Sequence, residues 1–177
     1  MTNYTIFNKS NSPLYTQSVN TYLAPAIENT PGGDAAKSGS LYILSTGSVS
    51  VGAGNSLLLQ IANPSGSGKT IYISNLMGGV TAAGTVAILK NGTITGGTTP
   101  TPFNANFASV STSVTTTKQN TGTLGGTPTS FVNVQVTAGM YLLDFGGGIV
   151  VPANQTLSIA VGTGALTASA NLTWWEY

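Results

Sequence analysis

The stretch Gly148-Ile149-Val150-Val151-Pro152-Ala153-Asn154-Gln155-Thr156-Leu157-Ser158-Ile159-Ala160-Val161 decides the fold class. Two short runs rich in β-branched and aliphatic residues flank a Pro-Ala-Asn corner. Proline lacks a backbone N–H and asparagine tolerates a left-handed backbone, so the chain is expected to turn there. Strand, corner and strand form the repeating unit of two-layered β-proteins. The same grammar continues on both sides. Upstream, Val132-Asn133-Val134-Gln135-Val136 alternates strictly between apolar and polar residues, the period of a half-buried strand. Met140-Tyr141-Leu142-Leu143-Asp144-Phe145 follows a turn at Gly139, and downstream Leu166 to Tyr177 closes the chain as a final strand.

Working toward the N-terminus, four more runs read as strands: Leu41 to Ser45, Ser56 to Ala62, Thr70 to Leu76 and Thr85 to Lys90. The last runs into Asn91-Gly92, the strongest short signal for a hairpin, because both turn positions favour φ > 0. The segment from Gly96 to Thr129 is rich in Thr, Ser, Gly and Pro. Phe103, Phe107, Val110 and Val114 are its main apolar residues, and Val110 to Thr117 reads as a strand. No repeat of 20 to 50 residues is visible, which argues against a solenoid or propeller. The sum is an all-β fold: a jelly-roll-like antiparallel β-sandwich over residues 38–177, with an up-and-down barrel as the competing architecture.

Residues 1–37 differ from the rest. They hold four of the nine charged residues (Lys9, Glu28, Asp34, Lys37), with Pro13, Pro25 and Pro31. Apolar residues are scattered through them without helical periodicity. This segment is expected to be an extended arm used in assembly. Ile6, Phe7, Leu14, Tyr15, Val19, Tyr22 and Leu23 are the side chains expected to dock on a neighbour.

Composition narrows the chemistry. The 177 residues include five lysines, four acids and no arginine, histidine or cysteine. A charged fraction of 5%, against about 25% in ordinary domains, leaves the surface to hydroxyls, amides and glycine. The absence of cysteine rules out a disulfide framework or a thiolate metal site. The absence of histidine removes the commonest general base and transition-metal ligand. A net charge of +1 without arginine argues against nucleic acid, whose affinity rests on neutralising phosphates. No apolar run approaches the ~20 residues of a membrane span. The first ten residues lack the basic-then-apolar pattern of a secretory signal, so synthesis in the cytosol is expected.

Three motifs invite a catalytic or ligand-binding reading. Asn63-Pro64-Ser65-Gly66-Ser67-Gly68-Lys69-Thr70 differs from a phosphate-binding loop only in having Asn63 for the first glycine. The run after it reads as strand, whereas the phosphate loop needs a helix N-terminus there. A glycosidase pair would have to come from Glu28, Asp34, Asp144 and Glu176, and solvated surface charge accounts for these. Trp174 and Trp175, with Tyr72, Tyr141 and Tyr177, could stack on sugars, but adjacent strand residues point to opposite faces. One of the two tryptophans is therefore expected in the core and the other at a surface or interface. No enzyme, metal or cofactor is expected.

The pattern Thr101-Pro102-Phe103-Asn104-Ala105-Asn106-Phe107-Ala108-Ser109, then Gly147 to Leu157, then Trp174-Trp175-Glu176, resembles small jelly-roll structural proteins. These include phage virion components and surface-fibre subunits of spore-forming bacteria, among them endospore appendage pilins. The resemblance implies self-assembly through an N-terminal connector, on a spore, cell-surface or virion exterior. Members of the appendage family carry N-terminal cysteines for intersubunit disulfides, and this chain has none. The expectation from sequence is a homopolymeric fibre or shell subunit, its own copies being the partner and the arm adding a strand to the neighbour. The second reading is a non-catalytic module binding glycans.

Overall fold

A computed structural model describes residues 30–177, together with the backbone of Asn8–Lys9 (β1) and Ser12–Pro13 (β2), which pair antiparallel. The expected docking residues Ile6, Phe7, Leu14, Tyr15, Val19, Tyr22 and Leu23 lie outside the described residues.

Residues 31–37 correct the expectation of an extended arm. Pro31–Lys37 forms a short helix, α1. Its signals are in the sequence: the Thr30 side chain accepts from the Gly33 N–H at 3.2 Å as N-cap, Pro31 follows, Asp34 sits in the first turn and Lys37 in the last. Gly39, at φ +72°, lies just beyond its end. Seven residues are too few to show a helical period, and α1 is held by packing, with Ala35 fully buried.

Eleven strands follow: Leu41–Ser45 (β3), Val49–Val51 (β4), Ser56–Asn63 (β5), Ile71–Val80 (β6), Gly84–Lys90 (β7), Phe103–Asn104 (β8), Thr116–Gly122 (β9), Thr129–Val136 (β10), Gly139–Val151 (β11), Gln155–Val161 (β12) and Leu166–Glu176 (β13). They form two antiparallel sheets. One has the order β10-β7-β12-β5-β9, the other β11-β6-β13-β3-β8, with β4 also on β13. Passing from β5 to β6, β6 to β7, β10 to β11, β11 to β12 and β12 to β13, the chain crosses each time from one sheet to the other. Within the sandwich no described ladder joins strands consecutive in sequence. This nested pairing is the double Greek key of a jelly roll; an up-and-down barrel would pair neighbours in sequence. Between the sheets lies a core that includes Leu44, Leu57, Leu59, Ile73, Ile88, Ile159, Leu172 and Trp174.

The nested topology corrects one local expectation. Asn91 and Gly92 do adopt positive φ, +64° and +98°. They do not close a hairpin, because β7 pairs with β10 and β12. The chain instead enters a long excursion, residues 91–128. The strand expected over Val110 to Thr117 begins only at Thr116. Phe107 and Val110, expected as apolar anchors, are 99% and 97% exposed, and Phe103 is largely exposed as well. This segment is held by polar contacts: Asn104 Nδ2 donates to the Gly39 carbonyl at 2.7 Å, and Asn106 Nδ2 to the Lys37 carbonyl at 3.2 Å.

Candidate functional site

The two sides of the sandwich end differently. On one side the 91–128 excursion finishes both sheets. Its β8 pairs with β3 through Tyr42↔Asn104 and Ile43↔Phe103, and its β9 pairs with β5 from Ser56↔Gly122 to Ala62↔Thr116. The excursion then covers its own outer edge: Thr98 bridges to Gln119, and Lys118 Nζ donates to the Ile94 carbonyl at 3.0 Å. Gln60 Nε2 reaches the Gly92 carbonyl at 3.0 Å, and Ile94 is buried. Leu58 lies outside the central core cluster yet is buried as well. A two-residue terminal strand, a lysine and a covering loop are the ordinary means of blunting a β edge.

On the other side, β10 ends one sheet and β11 the other, and among the described residues neither has a partner on its outer flank. Phe131 on β10 and Met140, Leu142 and Val150 on β11 are exposed. Asp144 is the one charged residue in the two strands. Both run as alternating half-buried and exposed positions, with Val132, Val136, Leu143, Phe145 and Ile149 leaning on the core from inside. Where the two sheets part near the Pro152–Asn154 corner lies a cleft of about 510 Å³, lined by Lys90, Phe131, Val150, Pro152, Ala153 and Leu157 among others.

The expected aromatic platform is not on the surface. Trp174 is fully buried, tilted against Tyr42 with ring centroids 6.2 Å apart. Trp175, expected to be exposed if its neighbour was core, is only 5% exposed. Strand alternation does put it on the outer face, but that face is covered. Tyr72 stacks on it at 6.0 Å, and Gly32 of α1 approaches its ring. So does Gly147, in the irregular stretch of β11 between Asp144 and Ile149, at φ +88°. A Cβ at Gly147 would collide with the indole, so glycine is required there on two counts. Tyr177 remains half-exposed, edge-on to Tyr72 at 6.3 Å.

Glu176, read as solvated surface charge, is 3% exposed. One strand position in two shares a face, so Glu176 points the same way as Trp174; that spacing was the available signal. Its carboxylate accepts from the Trp174 indole N–H at 3.0 Å, the Val114 backbone N–H at 3.1 Å and the Ser113 hydroxyl. It thereby ties the last strand to the excursion just before β9. Burial first, and then the Glu176 charge, raise the Tyr42 hydroxyl above its ordinary pKa. Burial also raises Tyr141, whose hydroxyl donates to the Ser169 carbonyl at 2.8 Å.

The other acids do not converge with it. Asp34 lies in α1, and Asp144 is exposed and accepts from the Gly146 N–H at 3.2 Å. Glu28 lies outside the described residues. Among the described residues no three His, Cys, Asp or Glu side chains gather as metal ligands. The phosphate-loop-like segment joins β5 to β6 across the two sheets and is followed by strand. Asn63, in place of its first glycine, is buried and donates to the Lys69 and Val151 carbonyls at 2.8 and 3.0 Å, so it serves as a structural tie. No helix among the described residues is long and apolar enough to cross a membrane. Comparison with protein-family models, curated proteins and solved structures finds no match.

Proposed function

We propose that the protein is a structural subunit that assembles with copies of itself into a fibre or shell, its N-terminal segment docking on the neighbour by strand addition. The observation that carries this reading is the asymmetry of the sandwich. One side is closed by nearly forty residues of excursion. The other leaves two strand edges unpaired among the described residues, with four exposed apolar side chains and a single charge. Monomeric β-proteins guard such edges, because a bare row of N–H and C=O groups templates another chain. A surface nearly without charge supports the reading further, since copies meet with little repulsion and little ion desolvation.

Negative-stain electron microscopy of the purified chain at neutral pH and high concentration tests it. Regular fibres, rings or tubes are expected, and a monodisperse monomer would overturn the reading. Deleting residues 1–20 is expected to leave the β signature by circular dichroism intact while abolishing the particles. A truncated chain that still polymerises would remove the arm from the mechanism.

A further inference from the structure

We infer that the cleft at the β10 end of the open side is the receptor for the N-terminal segment of a second copy, which pairs with the outer edge of β10 and seats an apolar side chain in the cleft. This rests on the assembly reading and names its receiving site. The cleft walls come from both sheets: Phe131 from β10, Val150 from β11 and Leu157 from β12, with Pro152 and Ala153 at the corner and Lys90 the one charge. Thr129 and Phe131 lie on the edge strand and also line the cleft. A strand added along β10 therefore passes the opening, and its alternate side chains have somewhere apolar to go.

The occupant follows from what the chain has to offer. Twenty-nine residues precede Thr30, and only Lys9 and Glu28 among them are charged. Beyond the paired β1 and β2, residues 14–29 alone would span on the order of 50 Å if fully extended at about 3.3 Å per residue, enough to reach a neighbouring sandwich. Donor and receiver are also separate surfaces. The segment joins the folded chain at α1, which packs over Trp175 on the outer face of the β11-β6-β13-β3-β8 sheet, whereas β10 ends the other sheet. A contact between two different patches is heterologous, and unless its rotation closes a ring it propagates without limit.

The cysteine-free sequence makes the test clean. Full-length chains carrying Ala153→Cys are mixed with full-length chains carrying Ser10→Cys, Ser18→Cys or Thr21→Cys, oxidised mildly under assembling conditions, and the disulfides mapped by mass spectrometry. Thr163→Cys, beyond the far end of β12, is the control receiver. At least one arm position is expected to cross-link to position 153 on the order of tenfold more than to position 163, because docking raises the local thiol concentration. Particles in which no arm cysteine favours position 153 would overturn the cleft while leaving assembly standing. Particles cross-linked instead between Ser130→Cys and Met140→Cys chains, by direct edge-to-edge contact, would overturn it too. Absence of any particle would overturn both readings.

Discussion

The closed and open sides of this sandwich are made from the same kind of sequence. Both are nearly without charge: the excursion that seals β3 and β5 carries only Lys118, and β10 and β11 carry only Asp144. What differs is how each is fastened. The closed side is pinned through a buried carboxylate, Glu176, and through side-chain amides that reach backbone carbonyls. The open side has no such ties along its outer flank among the described residues, and it exposes Phe131, Met140, Leu142 and Val150. In a chain with so few charges, an edge is closed by spending chain length on it; under the assembly proposal, the side left unpaired among the described residues is the one a partner takes.

The comparison breaks first at Glu176. Glu176→Ala leaves the Trp174 indole, the Val114 N–H and the Ser113 hydroxyl without their acceptor. A buried donor without a partner costs about 1–3 kcal/mol; only the Trp174 bond is fully buried and Ser113 still reaches Thr115, so the expected loss is about 2–3 kcal/mol in urea unfolding. Hydrogen exchange should accelerate in 104–122 before it does in β10 and β11; uniform acceleration would show that Glu176 does not fasten the excursion. The open side should answer in the opposite sense. Phe131→Lys with Val150→Lys is expected to change stability by no more than about 1 kcal/mol per residue, because both side chains are half-exposed, yet to abolish particles by placing charge in the cleft beside the β10 edge. Particles that survive would move the contact elsewhere. Smallest of all, Phe107→Ser and Val110→Ser should alter stability by less than about 0.5 kcal/mol and leave assembly unchanged, since these exposed residues belong to the closed side. Lost assembly there would make the excursion tip a second contact.

Much of this was legible in the residues, and the misses share a cause. Strict alternation in Val132–Val136 and the apolar runs around Pro152–Asn154 announced β10, β11 and β12, because strand periodicity is local. Asn91-Gly92 announced positive φ correctly but not the partner of β7, since pairing in a jelly roll is settled dozens of residues away. Helix α1 carried its caps in plain view, but seven residues cannot display a period. Of the proposed assembly surface, the apolar character of Phe131, Met140, Leu142 and Val150 was readable. That β10 and β11 end their sheets on the same side was not.

The sequence by itself determined that the chain is all-β, nearly without charge, and lacking the histidine, cysteine and arginine on which most site chemistry rests. These are properties of residue identity and of a two-residue period, and they need no fold to be read. Only the tertiary structure decided which edges lack a partner among the described residues, that both tryptophans are buried, and that Glu176 is a tie within the fold. Each of those depends on what a distant segment lays across a strand face or edge. Burial is a property of pairs of segments, and no single segment carries it.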